Sequence, residues 1–190
     1  MQDRKNEKII LSLIRLALGQ KNVHTFPDYA DWDKIMSLMQ NQGVRALLNE
    51  SLEAIKRNNI DIKTFPLRMQ IMQSYAQTVQ VEKMYSRHLA LAISIAEQWK
   101  QHGIKTIVFK GLAHSRYYPN PAHREFGDFD CYLIDAHGNC AYRQGNEMAR
   151  EKGLVVDDGW YKHSHILYDN LTVENHQYFT SARRGGTDKA

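Results

Sequence analysis

The sequence predicts an α+β protein in which a helical N-terminal subdomain packs on a small mixed β-sheet. Three observations carry that expectation. The first hundred residues hold apolar positions at helical spacing almost throughout. The texture changes at residue 104 to short β-branched runs, beginning with "IKTIVF". Beyond it, "DFDCYLI" and "KHSHILYDNLTVENHQYF" alternate with the period of two that belongs to strands. Helices followed by mixed strands and helices give this class. The expected division is 1–102 for the helical part, 103–180 for the α/β core and 181–190 for a flexible tail.

Taken in order, helices are expected near 6–18, 31–41 and 44–58. Apolar residues at 9, 10, 13, 14, 16 and 17 give the first of them one wide face. Asp31 is the N-cap candidate for the second. A longer helix runs from about Leu67 to Gln101, with apolar positions at 67, 71, 72, 75, 79, 84, 89, 91, 93, 95 and 96, and Gly103 stands where its cap belongs. Met36, Met39, Met69, Met72 and Met84 read as core filler. "IKTIVF" is the first strand, and "KGLAHSRYY" turns off it into a helix ending before Pro119. The strand 128–134 follows, then a helix near 139–151, then Gly153 leading into "LVV" and a hairpin. The closing "SARRGGTDKA" is polar, and it follows the last strand so soon that the chain reads as a piece of a longer one.

Bulk composition narrows the class of function. Apolar residues at 43% and charged residues at 24% are ordinary for a globular core. The net charge of +4 permits an anionic ligand but falls short of the basic excess that by itself argues for nucleic acid. The two cysteines, Cys131 and Cys140, have no metal-ligand spacing and read as reduced thiols. No apolar run reaches membrane-spanning length and no targeting segment stands out, so a cytoplasmic protein without membrane attachment is expected.

The chemistry concentrates in three places. Along 128–134, Asp128, Asp130 and Tyr132 share one face, while Phe129, Cys131 and Leu133 share the apolar other. Carboxylates two apart on a strand stand about 6–7 Å apart at their Cα atoms. At that spacing they can hold one divalent ion, or two ions about 3.5–4 Å apart; an N-terminal cap or turn is the plainer alternative, and the pair alone is a weak signal for metal. With Asp169-Asn170 at the centre of a two-residue turn, the hairpin pairs Tyr168 with Leu171, Ile166 with Val173, His165 with Glu174 and His163 with His176. A four-residue loop centred there keeps this register, and a three-residue loop scrambles it. One face then collects Ile166, Tyr168, Leu171 and Val173, and the other His163, His165, Glu174 and His176. That second face reads either as ligands or as a solvated surface. Finally, Lys110-Gly111 lies at a strand-to-helix junction. Gly111 there would admit a ligand close to the backbone, free N–H groups at the helix start suit phosphate, and Lys110 or Arg116 would add charge. An ordinary β–α turn is the alternative.

Together, "IVFKGLAHSRYYPNPAHREFGDFDCYLI" and "LTVENHQYF" resemble the nucleotidyltransferase-5 family of the DNA polymerase β-like nucleotidyltransferase superfamily. The shared features are a strand ending in Lys110-Gly111, Tyr118-Pro119 after the next helix, Arg124 before Gly-Asp-x-Asp, and a later Val-Glu-x-His. The resemblance covers about residues 100–180 and implies a polymerase β-like sheet. It makes Asp128, Asp130 and Glu174 the catalytic and metal-binding carboxylates, with Mg²⁺ or Mn²⁺ as cofactor. It places Lys110, Gly111 and Ser115 at the phosphates of a nucleoside triphosphate, and Arg124 either at the triphosphate or as a brace for the aspartate strand. The reaction implied is transfer of a nucleoside monophosphate to an acceptor hydroxyl with release of pyrophosphate, the acceptor being a small molecule, a protein or RNA. Lys-Gly stands here in place of the superfamily's usual Gly-Ser, so the alternative is an inactive relative that binds a nucleotide or a partner. A transition-metal hydrolase built on His163, His165 and His176 is a third reading.

Overall fold

The computed structural model describes residues 2–20, 26 and 30–178. The expected tail at 181–190 lies outside them. Their contacts group into two units. The first runs to Ser86 and includes Ser115–Glu125; the second comprises Arg87–His114 and continues from Phe126.

Helices α1 (Gln2–Ala17), α2 (Trp32–Asn41) and α3 (Leu47–Arg57) build the core of the first unit. Ile9, Leu13 and Leu16 of α1 meet Ile35 and Met39 of α2 and Leu48, Leu52 and Ile55 of α3 in one buried cluster. Asp31 caps α2 as expected, its carboxylate accepting from the Lys34 amide at 3.1 Å. A stabilisation of about 1 kcal/mol is typical of such a cap. Val44 and Arg45 first take tight turns, their carbonyls accepting from Leu47 and Leu48, so α3 begins three residues later than the pattern predicts.

The long helix α4 (Arg68–Gln101) ends as expected, with Gly103 in the left-handed region at φ +75°. Its buried stripe was misjudged from sequence. Ser74, Thr78, Val81, His88, Ala92, Ile95 and Trp99 are buried, at steps of three, four and seven. Of the five methionines expected in the core, Met39 is fully enclosed and Met36 partly, whereas Met69, Met72 and Met84 are exposed. The reason is local. Toward its N-terminal end the inward face of α4 carries hydroxylated residues, and Thr78 pairs inside: Asn49 Nδ2 donates to Thr78 Oγ1 at 2.8 Å, and Thr78 donates to the Ser74 carbonyl.

The second unit carries a five-stranded mixed sheet in the order β1-β2-β5-β4-β3. The strands are β1 (Lys105–Val108), β2 (Asp128–Ile134), β3 (Val156–Asp157), β4 (His163–Tyr168) and β5 (Leu171–His176). β2 and β5 run parallel, and the other neighbours are antiparallel. Helix α5 is a single short piece, Gly111–Ser115, well short of the helix expected up to Pro119. Helix α6 (Tyr142–Glu151) starts later than 139 because Asp135 accepts from the His137 and Asn139 amides, holding that stretch in a turn. α6 packs on the sheet through Tyr142, Gly145, Asn146 and Ala149. Phe129, Cys131 and Leu133 of β2 and Ile166, Leu171 and Val173 of the hairpin are almost fully buried. So are Ser164 and Asn175, which share Asn146 Oδ1 as acceptor at 2.7 and 2.9 Å. Among the described residues, no helix is long and apolar enough to cross a membrane.

Candidate active site

The hairpin has the register its turn chemistry predicts. Asp169 adopts φ +54°, as a tight two-residue connection requires, and His165 pairs with Glu174 and His163 with His176. β5 then pairs with β2 so that Asp130 lies directly opposite Glu174, Tyr132 opposite His176 and Asp128 opposite Thr172. Neighbouring strands stand about 4.8 Å apart, so opposed side chains share one face and touch. The polar face of the sheet therefore gathers Asp128, Asp130, Glu174, His176, His163 and His165 from three adjacent strands.

Asp130 is the most enclosed of the acids, its side chain 2% accessible. Lys110 Nζ lies 2.6 Å and His176 Nε2 3.1 Å from its Oδ1. Burial would raise the Asp130 pKa, but hydrogen bonds from His176 and Lys110 outweigh it and hold the carboxyl below its ordinary value. Asp128, half-buried, moves the other way. Burial raises it, and the charges of Asp130 and Glu174 raise it further. Lys110 is lifted above its ordinary value by Asp130, then by Glu174 and Asp128, against the effect of its own burial. Burial lowers the His163 imidazole against the pull of Glu174, and His176, His165 and Lys110 lower it further.

The two oxygens of Glu174 face different neighbours. Oε2 lies 3.3 Å from His176 Nε2 and 3.8 Å from Lys110 Nζ. Oε1 lies 3.4 Å from His165 Nε2 and 3.9 Å from His163 Nε2.

Lys110 reaches the acids from an uncommon backbone conformation, φ +54°. A non-glycine residue there costs on the order of 1–2 kcal/mol, so the surrounding contacts must hold it. Gly111 follows. A Cβ on it would lie 2.9 Å from Phe126 Cβ, so the close neighbour that requires glycine is the chain leading into β2. Gly111 thus seats the aspartate strand against the lysine turn.

A family model described as an uncharacterised nucleotidyltransferase matches residues 28–189. The chain belongs to that nucleotidyltransferase family. No curated protein and no solved structure matches the chain. The mixed sheet with flanking helices is consistent with a nucleotidyltransferase fold, as the sequence predicted.

Of the residues singled out for this nucleotidyltransferase, Asp130, Glu174 and Lys110 meet at one point, and Asp128 joins them through its charge. Ser115 and Arg124 belong to the other unit. Ser115 is fully buried there with its hydroxyl 3.0 Å from the Tyr85 hydroxyl, and the Arg124 guanidinium donates to the Glu125 carbonyl. His176, which the sequence places on the face of Glu174, lies with Nε2 3.1 Å from Asp130 and 3.3 Å from Glu174. Its position opposite Tyr132 was the signal, legible only once the β2–β5 register is known.

A divalent cation fits this chemistry. Asp130, Glu174 and His176 bring one ligand atom each to within 4.8 Å of one another. The acids Asp128, Asp130 and Glu174 face a single ammonium, Lys110, leaving an excess of negative charge beside a nearly buried carboxylate.

Proposed function

We propose that the protein is a metal-dependent nucleotidyltransferase that moves a nucleoside monophosphate from a nucleoside triphosphate to an acceptor hydroxyl. The observation that carries this reading is the direct opposition of Asp130 and Glu174 across the parallel β2–β5 pair, with Asp128 on the same face. Asp128, Asp130 and Glu174 would hold Mg²⁺ or Mn²⁺. When bound, such an ion lowers the pKa of an attacking hydroxyl and offsets charge on the leaving group. Without an ion, His176 Nε2 donates to Asp130 and fixes the direction in which that carboxylate presents its oxygens. Lys110, anchored by Asp130 with its side chain about half accessible, extends a positive charge to the triphosphate. The acceptor oxygen forms a bond to the α-phosphorus while the bond to the α–β bridging oxygen breaks. Pyrophosphate departs, and the acceptor's proton passes to solvent. Positioning and charge supply most of the rate in such a transfer.

The test is titration of ATP with Mg²⁺ or Mn²⁺ into wild type and Asp130→Asn, followed by pyrophosphate release with a small-molecule, protein or RNA acceptor. Metal-dependent ATP binding by wild type alone is expected, and equal binding by both proteins would remove the reading. One observation favours a second reading, binding without turnover. Lys110 already places a positive charge 2.6 Å from Asp130. Metal-dependent ATP binding with no pyrophosphate from any acceptor class would select it.

A further inference from the structure

The histidine side of Glu174 has no part in the reaction just described. His163 and His165 sit two apart on β4, on the face shared with Glu174, and both turn Nε2 toward the same oxygen, Oε1. The separations, 3.4 and 3.9 Å, are longer than the 2.7–3.2 Å or so of a good N–H···O bond. The 3.4 Å separation suits atoms that bind a common ion, and the 3.9 Å one must shorten by about half an ångström to do so. Metal–nitrogen and metal–oxygen bonds of about 2.0–2.2 Å at a tetrahedral centre separate neighbouring ligands by roughly 3.3–3.5 Å. All three donor atoms lie within 4.8 Å of one another. The remaining oxygen, Oε2, faces the acidic side, toward His176 and Lys110.

We propose that His163, His165 and Oε1 of Glu174 form a second cation site, selective for a nitrogen-binding divalent transition ion, with Glu174 bridging it to the acidic site. Two imidazoles and one carboxylate are a donor set for Zn²⁺, Co²⁺ or Mn²⁺. Mg²⁺ by contrast takes oxygen ligands and retains its waters. His163 is largely enclosed, its side chain 17% accessible, and its ring packs at 4.9 Å from that of His176, which limits its movement. His165 is 44% accessible, so the open coordination positions face solvent and the ion has a way in. Three protein ligands with an open position is the arrangement of a reactive rather than a purely structural metal site. The assignment shares Glu174 with the proposed transferase but does not depend on nucleotide transfer.

The experiment is titration of the full chain with Co²⁺, read by its visible absorption, alone and against excess Mg²⁺. Wild type should develop ligand-field bands that Mg²⁺ does not displace. Both His163→Asn and His165→Asn should weaken Co²⁺ binding by at least about tenfold, while Asp128→Asn should keep the bands. His165 is the more exposed of the pair, so its substitution spares the fold, and far-UV circular dichroism of each variant verifies that. An unchanged Co²⁺ titration in His165→Asn, or displacement of Co²⁺ from wild type by Mg²⁺, overturns the proposal. The two readings fail separately: loss of the histidine effect leaves metal-dependent ATP binding untouched, and loss of the Asp130 effect on ATP leaves the Co²⁺ bands untouched.

Discussion

Replacing Lys110 by methionine removes the ammonium that lies 2.6 Å from Asp130 and 3.8 Å from Glu174. Orphaning one partner of a fully buried ion pair costs about 3–5 kcal/mol. Two features reduce that figure here. Lys110 is 55% accessible, so solvent already screens part of its attraction, and His176 stays 3.1 Å from Asp130 after the change. The expected loss is about 1–2 kcal/mol. In a chain of this size about 2–4 °C accompanies each kcal/mol, so the melting temperature should fall by roughly 2–8 °C. A divalent ion should then act more strongly on the variant than on wild type, because in wild type it competes with the ammonium for the same carboxylates. At a hundredfold excess over Kd, an ion confined to the native state adds about 2.7 kcal/mol. Thermal melts of both proteins, each with and without Mg²⁺, measure these two effects. Equal melting temperatures without metal, or equal metal-induced shifts, would refute the argument that Lys110 is the resident counter-charge of the acidic cluster.

Two further predictions concern the rest of the molecule. His123, with its side chain 8% accessible, holds Nδ1 2.8 Å from Glu50 and Nε2 2.9 Å from Glu82. Burial lowers its pKa, but the two carboxylates outweigh that and raise it overall. A raised folded-state pKa gives stability that is complete below the unfolded value of about 6.5 and is lost as pH rises through the folded value. Melts of wild type from about pH 6 to about pH 9 should therefore decline more steeply than those of His123→Gln; parallel curves would count against the clamp. In the second unit, Asn146→Ala takes the acceptor from both Ser164 and Asn175, although Asn175 keeps its bond to the Tyr142 carbonyl at 2.9 Å. Each orphaned buried group costs about 1–3 kcal/mol, so urea unfolding should report a loss of about 2–4 kcal/mol. A variant within about 0.5 kcal/mol of wild type would show that water replaces the asparagine oxygen.

What was legible in the sequence follows from how local its physics is. The turn at Asp169-Asn170 fixed the hairpin register, and alternation fixed the faces of β2, because neither needs information from elsewhere in the chain. The cap at Asp31 was equally local. The partner of β2 was not. That Asp130 pairs with Glu174 rather than with a neighbour of it depends on how α6 and β3 return the chain, and no dipeptide encodes that. Resemblance to a family supplied only that Glu174 joins the two aspartates, not the register. The inward stripe of α4 is only partly legible for another reason: Ser74, Thr78 and His88 are polar, so apolar periodicity points to Ile95, which is buried, but also to exposed positions such as Leu67 and Met72. Gly111 stands out in the sequence as a point where the backbone can be approached closely. Sequence shows that a side chain is absent, but not that Phe126 is what approaches.

The parallel joining of β2 to β5 has a kinetic consequence. The β4–β5 hairpin closes through a two-residue turn and can form by itself, whereas 46 residues separate Asp130 from His176 across the β2–β5 seam. Forming that seam must overcome both the entropy of a long loop and the repulsion of acids brought side by side. Refolding should then be limited by this one docking event, with multivalent counter-ions in the buffer acting as its catalyst.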